Sequence, residues 1–190
     1  MRMYKSIINI ALVSALAVGV AKAQTTDFLM PDDAENYSYN FRDHEVHCMA
    51  MNMYWEARNQ PVKGMLAVGL VTMNRVADKR YPDTVCAVVT QGPTRPSWKN
   101  PAVRYPIRNR CQFSWYCDGK SDKVPKVDMD IYDIARMYAY KIYYGHGTSM
   151  VQDFTNGATH YHADYVTPAW AETKKRVLKI GRHIFYKWIN

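Results

Sequence analysis

Apolar residues at Val46, Met49, Ala50, Met53 and Ala57 recur at three- and four-residue steps, the spacing of one buried helical face. Asp43, just ahead of them, suits an N-cap, and Pro61 stops this helix or opens the next. Leu66, Leu70, Met73 and Ala77 continue the helical period through Val62–Val76, where Gly64 and Gly69 permit close backbone approach. A short third helix is expected over 84–89, with Thr84 as its cap. Between 91 and 110 the pattern breaks. Pro93, Pro96, Pro101 and Pro106 argue against regular structure there, and Arg95, Lys99, Arg104, Arg108 and Arg110 make the stretch basic. Helical spacing returns over 128–144, with Ile131, Ile134, Ala135, Tyr138 and Ile142 on one side and Gly145 as the expected C-cap. The late segments THYHADYVTPAW and RVLKIGRHIFYKW are aromatic and β-branched, which predicts strands. No internal repeat appears. The expected class is α+β, one domain, mostly helical with a small late β-sheet.

The first residues follow a different rule. Arg2 and Lys5 precede an apolar run over 7–20, and Ala21-Lys22-Ala23 offers small residues where a signal peptidase reads. Residues 1–23 therefore read as a signal peptide, or as a signal-anchor that later releases, and the run is short for a bilayer span. Residues 24–42 read as a polar N-terminal arm, and 43–190 as the functional domain. Export to the periplasm or cell envelope is expected, with transient membrane contact through the signal segment.

Composition narrows the partners. The whole chain carries a formal charge of +8. Losing Arg2, Lys5 and Lys22 with the leader lowers this to +5, which still suits an anionic polymer. Export argues against nucleic acid and leaves the wall or a membrane surface. Cys48, Cys86, Cys111 and Cys117 lie in the exported part, where four cysteines suggest two disulfides in any of three connectivities. Only Cys111 and Cys117 are close in sequence, and five intervening residues do not make the usual zinc knuckle.

Candidate chemistry is sparse. Glu56 follows Tyr54 and Trp55 near the end of the first helix, and burial there would disfavour its charged form and raise its pKa. A carboxyl still protonated near neutral pH can donate a proton to a glycosidic oxygen. By itself such a glutamate is more often a solvated helix-end residue. His160 and His162 share a strand face, and with His44, His47 or a cysteine they suggest an amidase-like zinc site, although no HExxH occurs. Ser114 lacks the Gly-x-Ser-x-Gly elbow of a serine nucleophile. The fifteen tyrosines and five tryptophans fill a core, or pack against the apolar faces of sugar rings.

Taken in order, MYWEARNQPVKGMLAVGLVTMNRV, YPDTVCAVVTQ, CQFSWYCDGK, GATHYHADYVTPAW and KIGRHIFY resemble the cell-wall hydrolases typified by the spore-cortex-lytic enzymes, the SleB/CwlJ type. The resemblance runs from about His47 to Tyr186. It implies a lysozyme-like or resuscitation-factor-like domain acting on peptidoglycan glycan strands, with no cofactor or metal, as a monomer. It implies Glu56 as the essential acid. It also implies a cleft lined by Gln112, Phe113, Ser114, Tyr161 and His162, with Tyr54 and Gln60 at the substrate. The family commonly reads Glu-Ala-Arg-Gly-Glu where this chain has Glu56-Ala57-Arg58-Asn59-Gln60, so an amide stands in place of a second carboxylate. Asn59 replaces the glycine and tolerates a left-handed backbone better than most residues. Ordinary glycoside hydrolysis uses two carboxyl groups. A lytic transglycosylase needs one, which favours that reaction over hydrolysis. Asp118, Asp153 and Asp164 remain open as second carboxylates. A wall-binding protein without activity and a metal amidase are the alternatives, and bacterial wall remodelling and phage lysis fit equally.

Overall fold

The structure is a computed structural model that describes residues 41–189, with side chains from 42 onward. The expected leader (1–23) and most of the expected arm lie outside the described residues. Helix α1 spans Phe41–Ala57, two residues earlier than the pattern predicts, so Asp43 sits in its first turn instead of capping it. Helix α2 spans Val62–Val76 behind Pro61, whose fixed φ suits a helix entry. Helix α3 is the short Val85–Val89 element. There the Thr84 side chain accepts a hydrogen bond from Ala87 N–H at 3.2 Å. Glu45 on α1 is buried, and its Oε2 accepts from the N–H groups of Val85 and Cys86. Cys48–Cys86 then ties α1 to α3 covalently, and Cys111–Cys117 closes a small loop.

Helix α4 spans Met129–Gly145 and packs across α1 and α2. Met49, Met53, Tyr54, Leu70 and Ile142 meet there with almost no exposure. Gly69 makes the approach possible, because a Cβ on it would lie 2.8 Å from both Ile142 Cδ1 and Met53 Sδ. Gly145 does not cap α4 in a left-handed conformation. It is the helix's last residue, small because a Cβ would come within 2.6 Å of Val151 Cγ2, and positive φ falls on Gly147.

The proline-bearing stretch contains regular structure after all. Strands β1 (Thr94–Pro96) and β2 (Arg104–Pro106) pair as an antiparallel hairpin. A two-stranded ribbon has open edges, so the missing proline N–H groups cost no ladder bond there. Arg104 closes the hairpin by donating to Thr94 Oγ1 at 2.7 Å and Thr94 O at 2.9 Å. The late sheet holds β3 (His160–Ala163), β4 (Lys174–Ile180) and β5 (His183–Trp188) in the order β3-β5-β4, all antiparallel. A register shift between Arg176 and Leu178 interrupts the β4–β5 ladder. Phe185 of β5 is fully buried against Ala67 and Val71 of α2 and against Ala158, which joins the sheet to the helices. Among the described residues no helix is long and apolar enough to cross a membrane.

Candidate active site

The last turn of α1 delivers Glu56 to the wall of a cleft of about 420 Å³. Helical geometry decides which neighbours share that wall. Met53, Tyr54 and Ala57 fall on the core side, while Trp55 and Glu56 sit at its border. Tyr54, expected at the substrate, is instead a core residue outside the cleft lining. It has no exposed surface; its hydroxyl donates to Asp128 Oδ2 at 2.6 Å and accepts from Arg58 Nη1 at 2.8 Å. Of the two, it is Trp55 that lines the cleft, its ring stacked on Trp115 at 6.4 Å.

Tyr161, from β3, donates its hydroxyl hydrogen to Glu56 Oε2 at 2.8 Å. Burial raises the Glu56 pKa above its ordinary value. The Tyr161 hydrogen bond and the positive charge of Arg75 pull it back only in part. Burial likewise pushes Tyr161 well up, with the Glu56 charge adding to it, so the phenol keeps its proton.

Two features of α2 set this pairing. Asn74 Nδ2 reaches Asp153 Oδ2, Thr155 Oγ1 and Ala158 O at 3.0–3.2 Å. Arg75 Nε donates to Thr159 O at 2.7 Å. These contacts hold the segment that enters β3, and with it the position of Tyr161. The sequence reading gave Arg75 no role. A signal existed: Val68, Val71, Thr72 and Arg75 follow one another at helical spacing on a buried stripe, an unusual place for a cation.

Gln60, Gln112, Phe113, Ser114 and His162 also line the cleft. Phe113 is buried under the guanidinium of Arg75, 5.0 Å from the ring centroid, while Gln112 and Ser114 are exposed. Gln60 Oε1 accepts from Arg182 N–H at 2.9 Å, joining the α1–α2 turn to the β4–β5 turn. A carboxylate oxygen would accept that bond equally well, so the amide preserves this contact. Asn59 is not left-handed; the positive-φ non-glycines among the described residues are Asn109 and Asn156. Trp115, Tyr165, Arg182 and His183 complete the lining beyond what the motifs indicated.

The histidines do not converge as a zinc site would require. His162 Nδ1–H donates to Ala163 O, leaving Nε2 to accept from Tyr186 at 2.9 Å. His160 packs between Trp170 and Trp188, and burial, reinforced by the nearby positive charges of Arg75, Lys174 and Arg80, lowers its pKa to about 4. His47 bonds Tyr132 at 2.9 Å. His44 lies within 4.8 Å of Cys48 and Cys86, but those sulfurs are already bonded to each other.

The carboxylates left open by the sequence are also accounted for. Asp164 pairs with Lys179 and Arg182, and Asp118 lies near Lys120 at 3.9 Å. Asp153 accepts from Thr155, Gly157 and Asn74. None of them lines the cleft. A second hollow, about 440 Å³, opens among α1, α2, the start of α3 and the end of α4, but its buried carboxylate Glu45 is already occupied by backbone N–H groups.

Residues 59–186 match the family described as Cell Wall Hydrolase, a span that opens just after Glu56. A spore cortex-lytic enzyme of Halalkalibacterium halodurans is 27% identical over 155 residues, covering 81% of this chain and 38% of the relative. A spore cortex-lytic enzyme of Oceanobacillus iheyensis is 26% identical, covering 80% of this chain and 45% of the relative. The chain thus spans less than half the length of these relatives. Among solved structures, the catalytic domain of the Bacillus cereus SleB protein aligns with a TM-score of 0.55 at 25% identity, over 80% of this chain and 94% of that one. The catalytic domain of the germination-specific lytic transglycosylase SleB from Bacillus anthracis gives 0.54 at 26%, over 80% and 99%. Both share the mostly helical architecture with its small late sheet. With a family match over more than half its length, carried on that shared fold, the chain belongs to the cell wall hydrolase family.

Proposed function

We propose that this protein cleaves peptidoglycan glycan strands between N-acetylmuramic acid and N-acetylglucosamine as a lytic transglycosylase, with Glu56 as its general acid and then its base. One observation carries the reading: among the described residues, Glu56 is the sole carboxylate lining the cleft. Protonated Glu56 donates to the leaving glycosidic oxygen. The resulting carboxylate takes the proton of the muramyl 6-hydroxyl as that oxygen attacks the anomeric carbon, closing a 1,6-anhydro ring. Tyr161 occupies Oε2 and so keeps Oε1 for proton transfer. Trp55, Trp115 and Phe113 offer aromatic surface to the sugar rings, with Gln112, Ser114 and His162 as polar neighbours. With residues 1–23 as a leader, the substrate is met outside the cytoplasm. The lytic transglycosylase named among the solved structures supports the same chemistry.

Mass spectrometry of peptidoglycan digested by the purified protein tests this. The expected products carry anhydromuramic ends, and Glu56→Gln releases none while still binding the wall. A chelator leaves activity intact. Reducing muramic ends would replace this mechanism with hydrolysis. Release that survives Glu56→Gln, or that a chelator abolishes, would refute the glutamate-centred reading.

A further inference from the structure

Arg75 is the least expected member of the cleft. Its side chain is 5% exposed and held from three sides. Nε donates to Thr159 O, and the guanidinium lies over the rings of Tyr81 and Phe113, 5.4 and 5.0 Å from their centroids. Yet Nη1 is buried with no hydrogen-bond partner. Leaving a charged donor unpaired away from water is costly, and such an atom in a cleft wall marks a partner that arrives later.

We propose that Arg75 is the waiting counter-charge for ionised Glu56, its Nη1 taking up the carboxylate that forms when Glu56 gives its proton away. This rests on Glu56 as the acid of the reaction proposed above. Before proton transfer, neutral Glu56 makes no claim on Nη1. Afterwards a full negative charge stands in the same wall, and the guanidinium already lining that wall stabilises it. In this role Arg75 acts through Glu56 and not on the sugar. It is a positioning residue that sets how readily Glu56 yields and regains its proton.

The other titratable and charged groups lining this cleft have different commitments. Tyr161 remains a phenol and already bonds Oε2. His162 is engaged with Ala163 and Tyr186, and Arg182 pairs with Asp164 at 3.5 Å. Burial lowers the pKa of His183. Tyr165 is exposed. Arg75 is the cation whose charge acts on the Glu56 carboxyl.

The sign of the effect is fixed. Glu56 is active when protonated, so kcat/KM falls as pH rises through its pKa. Removing the Arg75 charge moves that fall upward by about 1–2 pH units. It also lowers the plateau roughly 10- to 100-fold, because the nascent carboxylate loses its partner. Arg75→Gln should show both changes, and Arg75→Lys, which keeps a charge but not the fork, a smaller displacement.

A second measurement uses the unaltered full chain and needs no substrate. The Arg75 Nη ¹⁵N resonance, followed by NMR against pH, should move in step with the Glu56 carboxyl carbon, and that movement should vanish in Glu56→Gln. An Arg75 resonance blind to Glu56 ionisation, or a folded Arg75→Gln enzyme with an unmoved pH profile, would overturn the proposal. Anhydromuramic products alongside either result would leave the transglycosylase reading standing.

Discussion

Desolvation raises the Glu56 pKa, and that shift has a thermodynamic signature that can be read without substrate. A carboxyl whose folded pKa lies above its ordinary value of 4.5 binds more protons in the native state than in the unfolded one between those two values. Stability therefore falls as pH rises through that window. Glu56→Gln, which keeps the shape and an oxygen for Tyr161, removes the loss. Thermal melts should show the variant more stable than the parent at pH 7 and indistinguishable from it near pH 4. Equal melting at both pH values would mean that Glu56 is solvated like any helix-end glutamate. The bond that tempers this burial comes from Tyr161, and Asn74 and Arg75 hold the segment that carries Tyr161.

Asn74 shows how an element is aimed. Its Nδ2 serves three acceptors in the segment that enters β3, and its Oδ1 lies 3.1 Å from His146 Nε2 at the end of α4. Burial alone would push the Asp153 carboxyl up, but hydrogen bonds from Thr155, Gly157 and Asn74 more than offset it and leave it below its usual range. Truncating Asn74 to Ala leaves several of these groups unpaired. The expected cost is about 1–3 kcal/mol. Each kcal/mol corresponds to a melting temperature lower by roughly 2–4 °C for a chain of this size. Activity should fall with it, as β3 presents Tyr161 less firmly; a stable Asn74→Ala protein with unchanged turnover would contradict this.

The same elements show what could be read from sequence. The helices were legible because Met49, Met53, Leu70 and Ile142 keep a single period into one core. The hairpin was not, because prolines mark edges as readily as they mark irregular loops, and only pairing distinguishes the two. Glu56, Phe113 and Tyr161 were found through motifs and meet around one cleft. Tyr54 was misplaced because closeness in sequence to Glu56 does not mean a shared helix face: two residues turn the side chain by about 200°. The role of Arg75 was hidden because one cation near a helix end looks like a routine dipole partner.

At the scale of the molecule, the cleft is joined to a basic appendage. The hairpin holding Arg95, Lys99 and Arg104 leaves Trp98 87% exposed near its tip. Its base is tied to the cleft rim, since Gln112 N–H donates to Gln91 O at 2.9 Å. Under the proposed function, the carboxylates of peptidoglycan stems are its counter-charge. Converting Arg95, Lys99 and Arg104 together to Gln should weaken wall binding about tenfold at low salt. The difference should disappear near 1 M salt, where the screening length is about 3 Å. Pelleting assays with isolated walls measure both; undiminished binding at low salt would make the hairpin a bystander.

The hydrogen bond between Glu56 and Tyr161 joins residues 105 positions apart. At synthesis rates of about 5–20 residues per second, the acid leaves the ribosome roughly 5–20 s before its phenol does. Throughout that interval the helical half can collapse on local contacts, but the late sheet that supplies one wall of the cleft has yet to exist. The growing chain therefore lacks a complete cleft. Under the proposed function, order of synthesis thus acts as a safety catch that is released only when the final strands dock.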